Sequence, residues 1–301
     1  MLVQRINLQN TPQLDGVTQR DVTFNSNGVE LKGTLFTPAN ATGPLPAAIV
    51  TGAWTTVKEQ MAGTYARELA GRGFAALAFD FTGWGASSGE DRYKEDPATK
   101  TADILAAAEF MTGLDEINSD DVSGVGLCAS SGYMAAAVAD SPVFKKLALV
   151  AAWLHDPAMA EAVYGGPESV ANLIDASRAA EQSPQPQILT AASTTDNSAP
   201  MYQAPYYTEE DRGLIAEYDN KFSVSTWEPW LTYDAQASAD WLTEPTLIIC
   251  SEAAALPAGA HAYAKRTNAP VREIWLDDVN QFDFYDRADI VRQSADAIAD
   301  F

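Results

Sequence analysis

The sequence predicts an α/β layer structure, and three observations predict it. Short apolar runs alternate with stretches of helical periodicity along most of the chain. Two of the runs, Leu45 to Thr51 and Phe74 to Asp80, are continuously apolar, as strands buried on both faces of a parallel sheet are. A third, Val122 to Leu127, passes through Cys128 into an Ala-rich helix with only small residues at the turn. That pattern poses a reactive side chain at the end of a strand.

The elements follow in order. Arg20 to Asn25 and Val29 to Phe36 alternate with period two around Ser26, Asn27 and Gly28, an opening antiparallel hairpin. Lys58 to Gly71 has helical periodicity and a glycine stop, and Ala98 to Met111 forms a second helix. The Cys128 strand and its helix come next, then an apolar strand from Lys146 to Leu154. From about 156 to 235 the alternation breaks into short helical pieces, a Ser/Gln/Pro-rich stretch from Glu181 to Pro200, and many aromatics. Long insertions in compact folds are usually lids over sites, so the expectation is one domain over 1–301 with a helical cap inserted after the sixth strand. Alternation resumes with Thr246 to Cys250, a helix around Gly259 to Arg266, a strand from Val271 to Leu276, and a final helix to Phe301. No internal repeat is visible.

Composition removes several function classes. The chain has 301 residues, 47% of them hydrophobic, enough for a sizeable core. Its net charge of −22 repels nucleic acid and anionic membrane surfaces, so neither is an expected partner. The plainest use of that charge is a solvated surface. No run of about 18 apolar residues predicts a membrane span. Met1 to Asn10 lacks a basic patch followed by an apolar stretch, so no secretory leader is read there. Cys128 and Cys250 both sit in or just after apolar strands, which argues against a structural disulfide and for a cytoplasmic location. No His/Cys cluster has metal spacing, and no G-x-G-x-x-G opens a helix after a first strand. Neither a metal nor a cofactor is expected.

Over nearly its whole length the chain resembles the α/β-hydrolase superfamily, and within it the dienelactone-hydrolase-like and fungal polyketide-transferase-like group. The residues that carry the likeness are Trp54 to Gln60, Phe79 to Gly89, Gly126 to Gly132, Trp153 to Asp156, Trp227 to Asp234, and Phe282 to Asp286. The resemblance implies a mostly parallel sheet flanked by helices, and hydrolysis or transfer of acyl groups by a Cys or Ser nucleophile, an acid and a histidine. Here the histidine position aligns with Gln281, and the only acid after the penultimate strand is Glu252, one turn early.

Cys128 lies between Gly126 and Ser130 at a strand-to-helix turn, where the helix dipole favours a thiolate. A thiol tolerates a missing base better than a serine does, because a few per cent of it ionises at neutral pH. Of the two histidines, His261 is mid-helix and reads as surface or packing. His155 follows the neighbouring strand and is a candidate base, with Asp156 as its orienting acid or as a helix cap before Pro157. A backbone N–H of Ala53 or Trp54, with that of Ala129, is expected to form the oxyanion hole. Lys58 could hold an anionic group and Glu59 could take a proton, or the two pair on an exposed helical turn. Gln281 cannot accept a proton usefully, but its amide can hydrogen-bond a thiol or a carbonyl. Trp54, Trp84, Tyr206, Tyr207, Trp227 and Trp230 could line an apolar pocket.

The leading expectation is therefore an enzyme that attacks an ester, thioester or lactone of an apolar or aromatic small molecule through Cys128, helped by His155, Asp156 or Glu59. The rivals are a lyase, cyclase or isomerase on the same scaffold, and a protein that binds a small molecule without catalysis. A homodimer is left open.

Overall fold

The computed structural model describes residues 3–9 and 14–301; part of the amino-terminal stretch read for a leader lies outside them. The hairpin forms as expected. β1 (Val17–Ser26) pairs antiparallel with β2 (Val29–Pro38). The two residues between them, Asn27 and Gly28, both have positive φ, as a two-residue turn matching strand twist requires.

β3 (Leu45–Thr51) and β4 (Ala75–Phe79) follow, separated by α1 (Met61–Ala70). The remaining sheet elements are α2 (Pro97–Thr112), β5 (Ile117–Leu127), α3 (Ser130–Asp140) and β6 (Lys146–Val150). α2 starts where Asp96 accepts hydrogen bonds from Ala98 N and Thr99 N at 3.0 Å, with Pro97 in the first turn. β6 stops four residues before the expected end at Leu154. Ala151 turns left-handed (φ 47°), and the apolar run continues as buried loop.

Residues 151–245 add no strand to the main sheet. They contain α4 (Pro157–Val163), α5 (Pro167–Glu181), β7 (Ile188–Thr190), β8 (Ala192–Ser193), β9 (Met201–Tyr202), α6 (Pro205–Thr208), β10 (Lys221–Ser223) and α7 (Trp227–Leu231). β7 pairs with β10 and β8 with β9, in two small ladders. The chain returns through β11 (Thr246–Cys250), α8 (Pro257–Arg266), β12 (Val271–Trp275), α9 (Asp283–Asp286) and α10 (Ala288–Ala299).

The eight-stranded sheet runs β1-β2-β4-β3-β5-β6-β11-β12, with β4 to β12 parallel and β2 antiparallel to β4. α1 packs against β3, β4 and α10, while α2 and α3 pack on one another and on β5. From β3 the chain moves outward to β4, then crosses back to β5 on the other side. The connections leaving β3 and β5 thus diverge, and the crevice between them is where such sheets place ligands. Among the described residues no helix is long and apolar enough to cross a membrane.

Close packing at the end of β5 leaves no room for side chains. A Cβ on Gly126 would meet Ser130 O at 2.8 Å and Ser131 Cα at 2.9 Å, both backbone atoms. Gly126→Ala should therefore destabilise the protein by about 1–3 kcal/mol in urea unfolding; an unchanged midpoint would contradict this packing.

Candidate active site

Cys128 sits between β5 and α3 with φ at 56°, a left-handed conformation that costs a non-glycine residue about 1–3 kcal/mol. Hydrogen bonds over-determine it. Cys128 N donates to Val150 O at 3.0 Å, and its carbonyl accepts from Ser131 N (3.0 Å) and Trp153 N (2.9 Å). Ser130 Oγ ties the turn further, donating to Leu127 O at 3.0 Å and lying 2.9 Å from the Thr51 hydroxyl on β3.

The cysteine is 8% exposed and lies in the wall of a cavity of about 330 Å³. Trp54, Trp153, Tyr164, Tyr207, Trp230, Phe282 and Tyr285 supply its aromatic wall, with Val163, Pro200, Met201 and Ala204 from the 151–245 segment. No lining residue carries a formal charge at neutral pH. The Tyr285 hydroxyl and the backbone N–H groups of Ala129 and Trp54, all at the cavity wall, favour the ionised form of the sulfur. Burial pushes the thiol pKa up, and these donors offset that only in part. Desolvation thus outweighs the pull of the helix terminus toward a thiolate.

Gln281 is fully engaged. Its Oε1 accepts from Ala255 N, and its Nε2 donates to Ala151 O and to the Tyr285 hydroxyl, all at 2.9 Å. The same side chain thus anchors the loop after β11, from which the resemblance implied an acid. Glu252 is on the surface, with His261 Nε2 2.8 Å away, and His261 stacks on Trp275.

The other candidates divide sharply. Ala129, Trp54, Trp230 and Gln281 meet at the cavity. His155 does not line it. Its Nε2 faces Trp230 O at 2.8 Å, its Nδ1 accepts from Trp153 Nε1 at 3.0 Å, and burial lowers its pKa. Asp156 caps α4, accepting from Met159 N at 2.8 Å. Ala53 N points to Met61 Sδ at 3.5 Å and Ala53 does not line the cavity, whereas Trp54 does.

Lys58 is held by Asp80 at the end of β4 (Nζ–Oδ2 2.8 Å) and by Glu59 (2.5 Å), so it is not available to an anion in the cavity. Burial works against its ammonium form, but the two carboxylates prevail and raise its pKa. Glu59 is raised by burial and by Asp80, and it too lies outside the cavity wall. Tyr206 packs behind the wall on Tyr207 and Tyr285. Trp227 buttresses Trp54 and Tyr164 in the same way. Trp84 is buried elsewhere, its indole N–H donating to Lys94 O.

Three contributors were not read from sequence. Tyr285 stands on the sulfur, and its separation from Gln281 by one helical turn was the available signal. Tyr164 accepts from Trp230 Nε1 at 2.8 Å and walls the far side. Glu95 acts from behind the oxyanion loop. Its carboxylate accepts from Thr55 N (3.2 Å), the Tyr133 hydroxyl (3.1 Å) and Lys100 Nζ (2.6 Å). Lys100 is fully buried among Phe81, Trp84 and Tyr133, and burial outweighs Glu95 to lower its pKa. Among the described residues, no group of three His, Cys, Asp or Glu is placed to hold a metal ion.

A sequence model of the Alpha/beta hydrolase family matches residues 49–293. The uncharacterized protein PA2218 of Pseudomonas aeruginosa is 36% identical over 192 residues, 63% of this chain and 50% of that protein, so the match spans half the relative's length. Its crystal structure superposes with a TM-score of 0.85 at 25% identity, covering 97% of this chain and 94% of that one. The uncharacterized protein YcjY of Escherichia coli is 29% identical over 81% of this chain and 84% of its own. The acyltransferase drtE of Aspergillus calidoustus is 24% identical over 68% of this chain and 64% of its own.

A neutral, buried thiol reacts slowly with electrophiles. Alkylation of Cys128 by iodoacetamide, followed by peptide mass spectrometry, should be slower at pH 7 than that of free cysteine and should climb as pH passes above the usual thiol range. Fast labelling at pH 6 would contradict the raised pKa.

Proposed function

The chain belongs to the alpha/beta hydrolase family, and on that premise we propose that it hydrolyses or transfers the acyl group of a neutral ester, thioester or lactone, with Cys128 as nucleophile. One observation carries the reading. The sulfur stands at a cavity wall between Ala129 and Trp54, whose backbone N–H groups favour negative charge there. A carbonyl carbon bonded to that sulfur would bring its oxygen within reach of both donors as negative charge develops on it. One such donor is commonly worth about 10²–10³ in rate. The uncharged aromatic wall supports an apolar or aromatic acyl group, since an ionised substrate would be desolvated without a partner.

No carboxylate or imidazole lines the cavity wall, and His155, Asp156 and Glu59 stand away from it. The acyl-enzyme therefore has no side chain beside it that would activate water. That favours transfer to an acceptor more nucleophilic than water over hydrolysis, in keeping with the relative drtE, an acyltransferase. The same observation favours a second reading, a lyase, cyclase or isomerase that uses only a polar pocket.

Incubation with p-nitrophenyl butanoate should add one butanoyl group to the intact protein, and Cys128→Ala should remove that adduct. Persistence of the adduct in the variant would defeat the nucleophile assignment. Gln281→His should raise ester hydrolysis by at least tenfold, because a base would then stand beside the thiol; no gain would favour the non-hydrolytic reading.

A further inference from the structure

We infer that the Tyr285 hydroxyl is the proton relay of this site, taking the proton from Cys128 while giving its own to the leaving group. The inference rests on Cys128 being the acyl acceptor and names the group that replaces a base. Tyr285 lines the same cavity wall as Cys128 and is 1% exposed. Its oxygen accepts from Gln281 Nε2 at 2.9 Å, and Gln281 is fixed in turn by Ala255 N and Ala151 O. With one acceptor lone pair occupied by the amide, the hydroxyl keeps a second lone pair and one proton for the cavity. The rings of Tyr206 and Phe282 hold the phenol edge-on, at 5.1 Å and 5.8 Å.

Neither group has to ionise. As sulfur bonds to the carbonyl carbon, its proton passes to the tyrosine oxygen, and the tyrosine proton passes to the departing oxygen or sulfur. The C–S bond forms, the bond to the leaving atom breaks, and the leaving group departs neutral. Tyr285 finishes as it began. Such a relay suits a site in which burial disfavours both thiolate and phenolate.

The relay makes the rate depend on the leaving group in a way that packing alone would not. Acylation of Cys128 is to be followed by intact mass spectrometry with phenyl butanoates ranging from p-nitro to p-methoxy. Tyr285→Phe should slow the p-methoxy ester about 10²-fold or more and the p-nitro ester less than tenfold, because only the poorer leaving group needs a proton. Gln281→Met, which removes the amide that holds the hydroxyl, should tilt the series the same way; it decides the matter if Tyr285→Phe does not fold. Equal slowing across the series, or none, would overturn the relay and leave the nucleophile in place. Failure of wild-type protein to acquire an acyl group at Cys128 from any ester would overturn the underlying reading itself.

Discussion

The site depends on a buried carboxylate that never touches the cavity. Glu95 joins three parts of the chain: the N–H of Thr55, the hydroxyl of Tyr133 on α3, and the ammonium of Lys100 on α2. Thr55 is β-branched and has φ of 64°, a conformation such residues rarely adopt. Cys128, at the turn between β5 and α3, is strained in the same sense. Two unfavourable backbone geometries thus stand at this part of the cavity wall, and one carboxylate secures the loop of the first and the helix that follows the second. Glu95 N also donates to Thr226 Oγ1 at 2.9 Å, so the segment beyond β6 is fastened to the same point. Breaking a buried pair of this kind by removing one partner typically costs about 3–5 kcal/mol, since the other charge is left uncompensated.

Much of the fold was legible because it rests on local rules. Leu45 to Thr51 reads as a central strand from its own composition, and Asn27-Gly28 announces its turn. The end of β6 was not legible. An apolar run describes burial, and Ala151 to Leu154 is buried as loop just as well as strand. At the site, the small residues around Cys128 and the glutamine at 281 could be read directly. The fate of Lys58 could not, because its partner Asp80 lies at the end of the next strand and is brought near only by the sheet. Glu95 was invisible for the same reason: its three ligands come from separate elements. His155 was placed correctly beside the Cys128 strand, but the direction of a side chain after a left-handed turn is not written in its neighbours.

Surface and cavity follow opposite electrostatic rules. The surface carries most of a net charge of −22, while the cavity wall carries none. Several charges that enter the interior are paired there, as in Lys58 with Asp80, Lys100 with Glu95, and Arg212 with Asp286. The last pair clamps residue 286, next to Tyr285, onto the segment after α6, so the wall of the cavity is stiffened by charge that does not face it. The exterior is built for hydration and the interior for neutral chemistry.

The protonated state of the buried sulfur has a further consequence. Peroxide attacks thiolates, and oxidation to sulfenic acid follows thiolate content and access. Cys128 is poor in both, and Cys250 is separated from it by the whole of β6, so no second thiol stands ready to close a disulfide. The arrangement that makes this thiol slow to react also lets it persist under oxidative conditions that would consume a more reactive cysteine.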